Sequence, residues 1–161
     1  MKAFSIIGWS GSGKTLLITR LIEEFKARGK SIIAVKSTHA GYGLQPEGKD
    51  TARFLQAGAG ETYLLSGNEL LRMTRIAGAD DLLDDLQARL GPDDIVLLEG
   101  LTHPGIPRIE VEAAGGERAL KSRPEELAAR VTMAADPGAR PCFRPDDIAA
   151  IRTFMEEYHE R

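Results

Sequence analysis

The sequence is short of several things at once. It has one cysteine (Cys142) and one tryptophan (Trp9) in 161 residues, and aromatic residues make up only 6% of it. A single cysteine excludes an intramolecular disulfide framework and a multi-cysteine zinc site. No local motif around Cys142 supports a nucleophile, so it reads as a small packing or surface residue. Basic charge is not in surplus: 21 Lys and Arg stand against 24 Asp and Glu, a net charge of -3. That composition argues against nucleic acid as a partner. No apolar run approaches the ~18 residues of a membrane span. The stretch before the first glycine is too short for a signal peptide. The expectation is therefore a cytoplasmic protein of one domain, residues 1–161, a length at which a single core is ordinary.

Glycine is what the chain has in excess: 17 of 161, about 11% against a typical ~7%. The surplus has no three-residue period, so it is not collagen-like. Its hydrophobic content of 42% is not that of a disordered chain. These glycines must serve positions where a side chain is unwelcome.

Apolar runs alternate with helical patterns. Residues 2–7 read as a buried strand and residues 14–28 as a helix, with Ile18, Leu21, Ile22 and Phe25 as its apolar stripe. Strands follow at 31–36, 61–65 and 94–98, with a further candidate at 68–74. Short helices are expected at 49–57 and after Asp80, which is placed to cap the second. Residues 108–112 alternate with period two, as a half-exposed strand does, suggesting an added antiparallel portion and a dimer interface. Residues 130–134 suggest a late strand. Ile148, Ile151, Phe154, Met155 and Tyr158 mark a C-terminal helix after Pro145. Alternating strands and helices imply a three-layer α/β fold with a mostly parallel sheet, and the glycine-rich motif at residues 8–15 makes the expectation a P-loop NTPase fold.

Gly8-Trp9-Ser10-Gly11-Ser12-Gly13-Lys14-Thr15 matches G-x-x-x-x-G-K-[ST], between a buried strand and an amphipathic helix. Glycines at 8, 11 and 13 let the backbone curl so that successive N–H groups face one anion. The helix amino end adds partial positive charge. Lys14 would reach the β- and γ-phosphates, and Thr15 would place its hydroxyl on Mg²⁺. The expected nucleotide-binding set is Gly8, Ser10, Gly11, Ser12, Gly13, Lys14, Thr15 and Leu16. Such a metal wants a carboxylate, and Glu99 supplies one where a buried strand ends in Gly100. Glu99 is thus expected, with Thr15, at the metal, ordering a metal-bound or attacking water. Lys14 and Glu99 are the expected catalytic pair.

Four features in order resemble the molybdopterin-guanine dinucleotide biosynthesis protein B (MobB) family, and they cover most of the chain. They are the loop at 8–15; Lys36-Ser37-Thr38-His39; Gly48-Lys49-Asp50-Thr51-Ala52-Arg53 leading to Ala57-Gly58-Ala59; and Leu98-Glu99-Gly100 followed by Pro107-Arg108-Ile109-Glu110-Val111. The resemblance implies GTP and Mg²⁺ as ligands, weak hydrolysis and a homodimer. It also implies work beside the molybdopterin guanylyltransferase, with molybdopterin nearby. His39 would then contact nucleotide or pterin, or simply stand exposed. Lys49 and Arg53 would meet a second phosphate, and Asp50 would hold a metal water or cap its helix. The family's adjacent histidine pair is His39-Ala40 here, and Leu101-Thr102 replace its aromatic-lysine pair.

Two other readings use the same phosphate loop: a small-molecule kinase and a non-catalytic nucleotide-gated adaptor. The basic residues Arg118, Lys121, Arg123 and Arg130 fit either a solvated face or a lid over phosphates. A metallochaperone-type GTPase is disfavoured by one cysteine and three scattered histidines. The Asn-Lys-x-Asp signature for guanine is absent, so GTP rests on the resemblance alone.

Overall fold

The computed structural model describes residues 1–38, 50–113, 119–134 and 140–159. The chain forms two compact units, one from Met1–Ser37 with Arg89–Arg161 and the other from Thr38–Ala88. Each is described on its own below. Among the described residues, no helix is long and apolar enough to cross a membrane.

The first unit is built on a six-stranded sheet in which every pairing is parallel. Its strands are β1 (Lys2–Ile7), β2 (Ile32–Lys36), β5 (Ile95–Glu99), β6 (Arg108–Val111), β7 (Leu127–Val131) and β8 (Cys142–Phe143). Their spatial order is β2-β5-β1-β6-β7-β8. The central strands are continuous apolar runs because both faces are covered: Ile95, Val96, Leu97 and Leu98 are all buried. Two helices, α1 (Lys14–Ala27) and α4 (Ile148–Glu157), pack against each other and belong to one core with the sheet. That core joins Phe4, Ile6, Leu97, Ile109 and Val111 to Leu17, Leu21 and Phe25 of α1 and Ile151 and Met155 of α4. The buried stripe of α1 is Leu17, Ile18, Leu21 and Phe25, with Ile22 at its margin. The expected C-terminal helix is present, and Tyr158 just beyond it meets Phe4 edge to face at 5.6 Å.

The period-two segment at 108–112 is not an antiparallel addition. β6 lies between β1 and β7, parallel to both. Ile109, Glu110 and Val111 are 0%, 1% and 2% exposed. Alternation misled because Glu110 looks like a solvent-facing residue. Its carboxylate instead accepts the backbone N–H groups of Lys121 (2.5 Å) and Ser122 (3.1 Å), and these stand in for water around a buried charge.

The second unit holds α2 (Asp50–Gln56), the antiparallel hairpin β3 (Glu61–Ser66) and β4 (Glu69–Thr74), and most of α3 (Ala79–Arg89). The candidate strand at 68–74 is thus β4. Helix α3 begins at Ala79, which puts Asp80 inside the first turn rather than ahead of it. The N–H of Ala77 there donates to Asp81 at 2.7 Å. Helix α2 packs on β3 and buries Ala52 and Leu55.

Candidate functional site

In a parallel sheet the carboxyl ends of the strands share one edge, and three of them meet here. Register pairs Ile6 of β1 with Glu99 of β5 and Lys36 of β2 with the same Glu99. Two residues past Ile6 the chain turns at Gly8 into the phosphate loop. Gly8 has φ 146°, and a Cβ there would lie 2.3 Å from the Val111 carbonyl oxygen. β6 runs so close to the loop entry that only glycine fits. The Ser12 N–H closes a turn onto the Trp9 carbonyl at 3.1 Å. Gly13, at φ 95°, then delivers the chain into α1.

The amino end of α1 has no side-chain cap and no acidic residue in its first turn. Its leading N–H groups have no intrahelical acceptors, so they and the helix dipole are available to an anion. Ser12 is buried, with a hydroxyl that finds no partner. Ser10, Gly11, Gly13, Thr15 and Leu16 are exposed along the loop.

Over this loop the structure gathers Lys14, Thr15 and Glu99. The Thr15 hydroxyl lies 3.1 Å from both Glu99 carboxylate oxygens and donates to them. The Lys14 ammonium is folded back, donating to the carbonyls of Gly8 (3.0 Å) and Trp9 (2.7 Å). Burial pushes Lys14 below its ordinary range; Glu99 opposes this, while the positive charges of Lys121 and Lys36 reinforce it. Lys36, to which sequence reasoning gave no role, donates to Glu99 at 3.2 Å. A signal was available: Lys36 ends the second strand, and its level in the ladder puts it opposite Glu99.

The remaining candidates divide. His39 and Lys49 lie outside the described residues, as does Arg118. Asp50 and Arg53 are on α2 in the second unit, exposed and 3.9 Å apart. The arginine lid is not formed by Arg123 and Arg130. Arg123 is held by Glu125 and Glu126, and Arg130 by Glu112 at 2.6 Å. These carboxylates absorb the charge that made the stretch look basic. Lys121 alone of the described members stands beside the loop, its ammonium 5.0 Å from the centre of the Trp9 ring.

A parallel strand running through a glycine loop into an uncapped helix, with lysine, threonine and a strand-end carboxylate over it, defines the P-loop NTPase class of α/β fold. Within that class, residues 3–133 match the family described as molybdopterin guanine dinucleotide synthesis protein B, and the chain belongs to that family. It is 34% identical over 122 residues to the molybdopterin-guanine dinucleotide biosynthesis adapter protein of Escherichia coli K12, covering 74% of this chain and 67% of that one. The Haemophilus influenzae protein of the same description is 35% identical over 107 residues, and the match spans 59% of its length. A crystal structure of molybdopterin-guanine biosynthesis protein B superposes with a TM-score of 0.68 at 26% identity, over 95% of this chain and 97% of that one. Bacillus subtilis MobB superposes over the whole of both chains with a TM-score of 0.75, and at 23% identity it speaks for the fold.

Proposed function

We propose that this chain is an adapter in molybdopterin guanine dinucleotide biosynthesis that binds GTP with Mg²⁺ on the loop 8–15 and hydrolyses it slowly. The observation that carries this reading is the Thr15–Glu99 contact at 3.1 Å, directly over an uncapped helix end. Two hard oxygen donors suit a cation that keeps several waters and takes the rest of its ligands from phosphates. The bound metal would neutralise phosphate charge; Thr15 would ligate it, and Glu99 would order its water.

Lys14 would leave the Gly8 and Trp9 carbonyls for the β- and γ-phosphate oxygens, exchanging two neutral acceptors for a charged one. The loop N–H groups would hold the phosphates in a fixed geometry. Slow turnover fits four arginines of the first unit: Arg20, Arg108, Arg123 and Arg130 are each held by a carboxylate, and an arginine supplied by a partner would add the charge these four withhold. The names of the relatives support work beside a molybdopterin guanylyltransferase, with molybdopterin as the shared compound. A homodimer is supported by the apolar hairpin of the second unit, where Tyr63, Leu65 and Leu70 are 54%, 73% and 63% exposed.

Calorimetric titration with GTP and ATP, each with and without Mg²⁺, tests the reading. GTP with Mg²⁺ should bind, omission of the metal should weaken it about tenfold, and Lys14→Ala should weaken it about a hundredfold. Absence of GTP binding with Mg²⁺, or affinity unchanged by Lys14→Ala, overturns it.

A further inference from the structure

Beside the phosphate loop, and within the same compact unit, is a cavity of about 480 Å³. Ile7, Trp9, Thr102, Arg108, Leu120 and Lys121 line it, and among the described residues no acidic side chain does. We propose that this cavity is a second anion site for an organic phosphomonoester, with Lys121 as its principal cation and Trp9 as its aromatic wall.

The wall is built rather than incidental. The segment 119–122 is pinned at three points: the Trp9 indole N–H donates to the Ala119 carbonyl at 2.8 Å, and the N–H groups of Lys121 and Ser122 donate to the buried Glu110 carboxylate. Glu110 therefore spends its charge on the backbone beneath the segment, while the Lys121 side chain extends over Trp9. Among the described residues no carboxylate pairs with the Lys121 ammonium. Arg108 is matched by Glu126 at 3.1 Å, so among the described lining residues Lys121 is the cation left without a carboxylate. An ammonium resting on an aromatic face is in a weak arrangement, worth ~0.5–1 kcal/mol when exposed. An anionic oxygen is a stronger partner.

Size and lining set the rest of the ligand. The volume exceeds what one phosphate group occupies. Ile7, Leu120 and the Trp9 ring offer an apolar surface for an organic body, and Thr102 adds a hydroxyl. The combination fits a small ring or chain carrying one terminal phosphate. The site adjoins the loop entry at Gly8, so such a ligand would sit beside the nucleotide phosphates rather than replace them.

Trp9 is the only tryptophan, so its fluorescence reads the cavity directly. The full chain is titrated with phenyl phosphate, and separately with inorganic phosphate and with phenol. Phenyl phosphate should give a saturable change in both the native protein and Lys14→Ala, because the second site does not need the loop lysine. Lys121→Ala should weaken it about tenfold, and Lys121→Arg should restore it. Inorganic phosphate should bind about tenfold more weakly than phenyl phosphate, and phenol should not saturate. Three results overturn the proposal: no saturable change, a change lost in Lys14→Ala, or equal affinity in Lys121→Ala. Equal binding of inorganic and phenyl phosphate overturns the assigned ligand class. Survival of binding in Lys14→Ala also separates this site from nucleotide binding, whose failure would leave the result standing.

Discussion

The two units treat the same kind of residue in opposite ways. Leu97 in β5 is 0% exposed, while Leu65 in β3 is 73% exposed. Both lie in short, leucine-rich strands. The difference is cover. β5 has a parallel neighbour on each side, and Leu97 points into the core shared with α1 and α4. Among the described residues β3 has one neighbour, β4, and the face bearing Tyr63, Leu65 and Leu70 has none of its apolar side chains buried. A two-stranded hairpin is marginal on its own. The lesson is a division of labour. Under the proposed function, chemistry that needs atoms held in place would sit at the edge of the six-stranded sheet, and association would be left to the exposed hairpin.

The sharpest break of that comparison is a pair of identical substitutions. Leu97→Ala removes a buried side chain from a closed core and should cost about 3 kcal/mol of unfolding free energy. Leu65→Ala should change it by less than about 0.5 kcal/mol while weakening self-association. Urea unfolding at low protein concentration measures the first quantity, and sedimentation across a concentration series the second. Similar unfolding costs for both would mean that the hairpin face is covered within the monomer.

Next in size is Glu110→Gln. The carboxylate accepts two backbone N–H groups, but a glutamine offers one oxygen and turns an N–H₂ toward the other donor. One buried N–H loses its acceptor, at a cost of about 2 kcal/mol. Hydrogen exchange should localise the loss to the amides of Lys121 and Ser122. Unchanged protection of those amides would remove Glu110 from the role of anchoring segment 119–122.

Much of this was legible in the sequence, and the exceptions have a common cause. The phosphate loop, its flanking strand and helix, and the strand ending at Glu99 all follow from local pattern, because glycine turns and hydrophobic periods are properties of neighbouring residues. The wrong sheet position of 108–112, the unassigned Lys36 and the choice between solvated face and lid for Arg123 and Arg130 are all non-local. Whether Glu110 faces water depends on a segment eleven residues on; whether Lys36 meets Glu99 depends on the register of two strands 63 residues apart; and whether an arginine is free depends on carboxylates the fold brings to it. Periodicity reports how a residue alternates, not what lies opposite it.

The smallest expected effect concerns the charges of the hairpin. Arg72 on β4 bridges Glu61 on β3 and Asp85 on α3, the latter at 2.9 Å. The Arg72 hydrogen bond, and then that of the Tyr63 hydroxyl, hold the Glu61 carboxyl below its ordinary 4.5. A depressed carboxyl contributes stability that is present above its unfolded value and is lost as pH falls through the lower, folded one. The hairpin should therefore hold this contribution in full above the ordinary 4.5 and lose it progressively as the pH falls from there through the lower, folded value. Because the groups are solvent-accessible, screening keeps the contribution small, and site-resolved titration is a better readout than melting. Following the Glu61 side chain by NMR should give a midpoint below 4.5 in the native chain and one returning toward 4.5 in Arg72→Met. An unmoved midpoint would show that Arg72 serves α3 through Asp85 alone, and that the open hairpin is held by its backbone ladder without help from its charges.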